Sequence, residues 1–154
     1  MDEEVVERIL EKDVFVVPTF TPYVLIAEKG TKAGLSDFMV NISKRVNKEK
    51  IPRFRKAYEA GIKVAFGRDA GSPFTKHDDF ITEMKAMESA GMNKKDIINS
   101  ALENAARALK VWDKIGSIEK GKYADIILVD DNPLDDFNNF KKIFKVIKGG
   151  EEII

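Results

Sequence analysis

The sequence predicts an α/β fold: a parallel sheet with crossover helices up to about residue 110, and short strands in the tail. Two observations predict it. Apolar residues alternate between helical spacing and compact β-branched runs, in the order helix, strand, helix, strand, the rhythm of βαβ units with right-handed crossovers. Beyond Trp112 the pattern changes to short apolar runs separated by glycine turns, which read as strands.

Val5, Val6, Ile9 and Leu10 recur at helical spacing after an acidic first turn, predicting a short amphipathic helix near residues 2 to 12. Val14 to Val17 form a β-branched and aromatic run ended by Pro18, a strand followed by the loop Pro18-Thr19-Phe20-Thr21-Pro22, whose prolines prevent further sheet pairing. After Gly30 and Gly34 comes a charged helical region, broken at Pro52 and resumed from Arg53 to Ala60 before Gly61 stops it. The run Ile62-Lys63-Val64-Ala65-Phe66 follows at once as a second strand. Asp78 or Asp79 is placed to cap a helix carrying Phe80, Ile81, Met84 and Met87 as far as Gly91. Asn93 caps another, with Ile97, Ile98, Ala101, Leu102, Ala105, Ala106 and Leu109 on one broad face. These Met and Ala stripes read as core. In the tail, Ile115 to Ile118 and Ala124 to Val129 read as two strands joined by a turn, and Ile143 to Ile147 as a last strand entering a turn at Lys148-Gly149-Gly150. No repeat or low-complexity segment interrupts this order.

Composition bounds the function. At 154 residues and 44% hydrophobic the chain falls within the size of one domain with a sizeable core. Lys plus Arg equals Asp plus Glu at 26 each, so no basic surplus points to nucleic acid. There is no cysteine, which excludes disulfides, thiolate metal sites and cysteine nucleophiles and fits a reducing compartment. The start, Met-Asp-Glu-Glu, is acidic where a secretion signal is basic, and no apolar run approaches a membrane span. A soluble, cytoplasmic protein is the expectation.

The stretch that points to chemistry is Ile62 to Gly71, where a buried strand ends on Asp69 between two glycines. Carboxyl ends of parallel strands hold catalytic side chains, because the strand fixes the backbone and the loop leaves the side chain exposed. A turn or helix-capping aspartate is the competing reading of the same residue. A second acidic stretch, Ile127-Leu128-Val129-Asp130-Asp131-Asn132-Pro133, resembles the opening of a phospho-acceptor pocket. Too little chain follows it to complete that fold, so it reads as a strand-ending turn.

Val64-Ala65-Phe66-Gly67-Arg68-Asp69-Ala70-Gly71, then His77, Glu83, Ala90-Gly91-Met92, Asn104-Ala105-Ala106 and Ile115-Gly116-Ser117-Ile118-Glu119-Lys120-Gly121-Lys122-Tyr123-Ala124-Asp125, together resemble the C-terminal part of the amidohydrolase superfamily. The likeness is to its imidazolonepropionase-like and Xaa-Pro dipeptidase-like members, and it extends over most of the chain. Val14 to Thr19 is similar to the family's seventh barrel strand and Lys141 to Gly150 to its closing strand.

The resemblance implies a partial TIM barrel over residues 1–110, followed over 111–154 by the C-terminal strands of a small β-sandwich domain. It implies hydrolysis of carbon–nitrogen bonds in cyclic amides or dipeptide-like substrates by metal-activated water. The metal is a divalent cation, usually zinc. Asp69 takes the family's place for a metal ligand that is also the catalytic base, and His77 and Arg68 are the substrate-binding candidates. A solvated loop histidine is the competing reading of His77, and a surface arginine that of Arg68, which stands where the family commonly has threonine. The family's metal site also takes a His-x-His pair, a strand-four ligand and two further histidines, whereas this chain has one histidine. The resemblance places its start just after the sixth strand. Two strands of eight leave open edges, so a homo-oligomer is expected. The alternative to a hydrolase is a non-catalytic fragment or assembly module that self-associates or complements a partner chain.

Overall fold

The computed structural model describes residues 2–154; Met1, part of the acidic start, lies outside them. Among the described residues the architecture is mixed α/β with two small sheets. Helix α1 (Glu3–Glu11) begins on Glu3 and Glu4, whose charges suit the positive end of the helix dipole, and buries Val6. Strand β1 (Phe15–Val16) pairs in parallel with β2 (Lys63–Val64), in the register Phe15 to Lys63 and Val16 to Val64. The expected parallel connection between these runs is therefore present. Two helices make the crossover, α2 (Thr21–Lys29) and α3 (Asp37–Glu59).

Two features of the crossover differ from expectation. The segment after Pro18 is a loop only as far as Phe20, because Pro22 sits in the first turn of α2, where a missing N–H costs nothing and a fixed φ favours the helix. Helix α3 runs unbroken through Pro52. Pro52 faces solvent, and buried Phe54 and Ala57 anchor the turn beyond it, so packing outweighs one lost backbone bond. Gly30, at the end of α2, is needed for close approach: a Cβ there would lie 2.8 Å from a methyl of Val40 on α3.

After β2 a long loop leads to α4 (Ile81–Ser89), then α5 (Lys94–Ala101) and α6 (Glu103–Ala108). Asn93 caps α5 by accepting from the Asp96 N–H. Asp79, one residue before the helix-flanking Phe80, accepts from the backbone and hydroxyl of Thr82. The single helical face expected from Ile97 to Leu109 is split at Leu102, and Leu102 and Leu109 are exposed. The break has a use. It lets Ser100 O accept from Phe66 N and lets the Asn104 side chain donate to Val64 O, satisfying backbone groups of the β2 segment. Met84, Met87 and Met92 are buried with Phe20, Phe54, Val64 and Ile97 in one core.

The tail sheet has the order β3-β4-β5, all antiparallel: β3 (Ile126–Val129), β4 (Ile143–Lys148) and β5 (Glu151–Glu152). Residues 115–118 form no strand, contrary to expectation, since β3 takes β4 as its partner and Ile118 stands exposed. The turn between β3 and β4 sends Phe137 into the main core.

Candidate functional site

The two parallel strands end side by side, and each ends in a left-handed corner. Thr19, beyond β1, has φ 49° and Asp69, beyond β2, has φ 53°. Glycine adopts this region freely, but a β-branched residue there is an outlier costing about 1–3 kcal/mol that surrounding contacts must outweigh. Those contacts are all present at Thr19. Its hydroxyl donates to Gly67 O at 3.1 Å, tying the two corners together, and its carbonyl accepts from Lys50 Nζ at 2.7 Å. Gly67 has no side chain because Val17 lies against it: a Cβ there would meet a Val17 methyl at 2.5 Å.

Glu83, 0% exposed on α4, holds the first corner from beneath. Its carboxylate accepts from Phe20 N at 2.8 and 2.9 Å and from Thr21 N and Thr21 Oγ1 at 2.6 Å each. The start of α2 is thus capped by a side chain 62 positions away, with the carboxylate at the positive end of the helix dipole.

The corners open on a cleft of about 650 Å³ lined by Thr19, Tyr23, Lys50, Arg68, Asp69 and Ser72 among others. Asp69 is exposed at the rim and caps no helix; its Oδ2 accepts from Ser72 Oγ at 2.6 Å. Arg68 is only 8% exposed, and both terminal guanidinium nitrogens are buried without a hydrogen-bond partner. Lys50 reaches into the cleft from α3, its ammonium 5.0 Å from the ring centres of Phe20 and Tyr23. Burial pulls the Lys50 pKa below the ordinary lysine value, and the nearby Glu83 charge opposes that shift. His77 lies exposed in the loop between β2 and α4 and is not among the residues lining the cleft. The structure therefore brings Asp69 and Arg68 together and leaves His77 apart. It adds Lys50, and it gives Thr19 and Glu83, which the resemblance included without a role, the task of holding the corner. The one readable hint was a threonine between a strand-ending proline and a helix-starting proline.

The described residues do not fit a catalytic metal by themselves. No group of three or more His, Cys, Asp or Glu side chains among them could hold one, whereas catalytic zinc usually takes three protein ligands plus water. Asp69 is the single candidate ligand in the cleft, and its hydrogen-bonded neighbour is a serine.

A cleft at the carboxyl ends of parallel strands, with a carboxylate on its rim, places this chain among α/β proteins whose ligand sites lie at strand ends. The chain belongs to the amidohydrolase family, whose model matches residues 1–153. It is 35% identical over 82 residues to the imidazolonepropionase of Thermoplasma acidophilum, an alignment covering 53% of this chain and 20% of that one. The ochratoxinase of Aspergillus niger is 26% identical over 156 residues, covering 97% of this chain and 31% of that enzyme. Among solved structures, a Xaa-Pro dipeptidase with methionine bound in its active site superposes with a TM-score of 0.86 at 37% identity, over 99% of this chain and 37% of the dipeptidase. The chain thus spans well under half the length of these relatives.

Proposed function

We propose that this chain carries the strand-end corner of a hydrolase acting on carbon–nitrogen bonds in dipeptide-like or cyclic amide substrates, with Asp69 as its catalytic carboxylate. The observation that carries this reading is the position of Asp69: it lies on the rim of the cleft in the loop beyond the carboxyl end of parallel strand β2, beside a second corner held to it through Thr19 and Gly67. A carboxylate there accepts a proton from an attacking water and returns it to the leaving nitrogen, a role open to any exposed carboxylate within hydrogen-bond reach of both. Family membership supports a partial barrel over residues 1–110 and part of a β-sandwich domain over 111–154 as the frame of this site. It also supports dependence on a divalent metal, zinc in our reading. This chain supplies Asp69 alone toward such a metal, so any further ligands would have to be contributed by residues that are not in this sequence; Arg68 lines the same cleft as a substrate contact, and His77 would reach a substrate only from outside it.

The second reading is an assembly module that pairs with a copy of itself or with a partner chain. Each strand of the β1–β2 sheet has an unpaired edge, and Ile127 and Phe144 of the tail sheet are 60% and 62% exposed. One experiment separates the two. The purified chain is loaded with zinc, its retained metal is measured, and it is assayed on Xaa-Pro dipeptides and hydantoin-like amides. The hydrolase reading expects turnover that Asp69→Asn reduces by about 100-fold or more, the scale of a lost acid–base group. Absence of both metal and turnover, with an oligomeric mass by light scattering, supports the module instead.

A further inference from the structure

Among the described residues, Lys50, Lys94, Lys122 and Lys145 are the lysines that the fold takes partly out of water. The last three each face a carboxylate: Lys94 pairs with Glu88, Lys122 with Glu119 and Lys145 with Glu152. Lys50 has no ion pair within 4 Å among the described residues. The acids around it are engaged elsewhere. Glu83 of α4 accepts from Phe20 and Thr21, Asp69 beyond β2 accepts from Ser72, and Glu49, the preceding residue on α3, pairs with Arg53. The cations that share its walls, Arg53 and Arg68, offer no acceptor. What Lys50 does contact is neutral: Thr19 O at 2.7 Å, and the Phe20 and Tyr23 rings with their centres 5.0 Å away. An ammonium placed this way loses hydration without gaining a counter-charge, which favours the neutral amine. Burial does pull the Lys50 pKa down, against the opposing effect of the Glu83 charge.

Lys50 also differs from a surface lysine in what lies in front of it. It stands on the wall of the 650 Å³ cleft, which Val17, Pro22 and Ile26 line as well. From this juxtaposition we propose that Lys50 is a nucleophilic amine that forms a Schiff base with aldehydes carrying an apolar group. The proposal goes beyond hydrolysis and needs neither Asp69 nor a metal. Once the ammonium has given a proton to solvent, the Nζ lone pair adds to the carbonyl carbon. One amine hydrogen passes to the carbonyl oxygen, giving a carbinolamine, and the second leaves with that hydroxyl as water as the C=N bond forms. No electrons are exchanged, so the step requires no oxidant or reductant. Thr19 O and the two rings hold the Lys50 side chain in place, so little of its freedom is lost on reaction. Val17, Pro22 and Ile26 supply apolar surface for the body of the aldehyde.

The test traps the imine. The purified chain is incubated at neutral pH with hexanal or with formaldehyde, and sodium cyanoborohydride delivers hydride to the imine carbon to leave a stable amine. The occupancy of each lysine is then read by peptide mass spectrometry. With hexanal, Lys50 should be labelled about fivefold or more faster than the exposed Lys48 and Lys120, the gain of a larger neutral fraction partly offset by weaker intrinsic nucleophilicity. That lead should shrink with formaldehyde, which has no apolar body for the cleft to hold. It should vanish in concentrated urea, where the cleft is gone. Labelling of Lys50 at or below the rate of Lys48 and Lys120 overturns the proposal. So does an equal lead with the two aldehydes, or a lead that survives unfolding. The readout is the position of the label, so failure of the hydrolase reading would leave this proposal standing, and hydrolysis by a chain without selective labelling would do the reverse.

Discussion

Two strands of this chain lead toward an aspartate, Asp130 directly after β3 and Asp69 in the loop beyond β2, and only one of these places makes a candidate site. Strand β2 leads into Asp69 and β3 into Asp130, both exposed. Asp69 has a neighbour: the corner of β1 lies beside it, joined by the Thr19 hydroxyl and Gly67 carbonyl, and the two share a cleft with Lys50 and Arg68. Asp130 is followed by a surface turn in which its N–H donates to Lys142 O and Asp131 pairs with the Lys142 ammonium. The difference lies in the sheet. Parallel pairing brings both carboxyl ends to the same side, whereas the antiparallel partner of β3 presents its own start there. An aspartate after an apolar run is therefore weak evidence of chemistry until the direction of the neighbouring strand is known.

Substitutions can break this contrast, beginning with the largest effect. Glu83→Ala should lower unfolding free energy by about 3–5 kcal/mol in denaturant melts, because it leaves the buried Phe20 and Thr21 N–H groups and the Thr21 hydroxyl of the first corner without an acceptor. Asp131→Ala on the tail turn should leave the melt unchanged, because its Lys142 partner is solvent-exposed. Comparable losses from both would show that the two endings are equally structural. Asn104→Leu is a smaller perturbation of the same corner. It removes the donor to Val64 O and should cost about 1–2 kcal/mol by the same measurement.

The smallest effect depends on pH. Burial raises the Asp79 pKa, but the two Thr82 hydrogen bonds and the Arg68 charge outweigh it, so the carboxyl sits below its ordinary value. A carboxyl lowered on folding contributes stability above its unfolded pKa and loses it as pH falls through the folded one. The melting-temperature gap between wild type and Asp79→Ala should therefore be open at neutral pH and shrink on acidification below the carboxylate range. A gap that widens in acid would contradict that assignment.

The two parallel strands and Asp69 were legible in the sequence because each signal is local: a β-branched run, a glycine on either side, an acid between. The caps were legible for the same reason, as at Asn93. Glu83 was not legible as a support of the site. On a helix it has the appearance of any solvated charge, and its partners lie 62 and 63 positions back. Lys50 stands within the charged stretch of α3, where nothing distinguishes it from Lys48 or Arg53 until the helix folds over the end of β1. The expected strand at 115–118 failed for a related reason: apolar periodicity marks residues able to pair, and pairing depends on a partner that sequence spacing does not supply.

The central claim is that Asp69, of the two aspartates that follow strands, is the one placed for chemistry. The most direct measurement is the hydrolysis rate on Xaa-Pro dipeptides, at matched zinc loading, for wild type, Asp69→Asn and Asp130→Asn. The claim predicts that Asp130→Asn keeps the wild-type rate while Asp69→Asn falls by about 100-fold or more. Equal rates for Asp69→Asn and Asp130→Asn would contradict it.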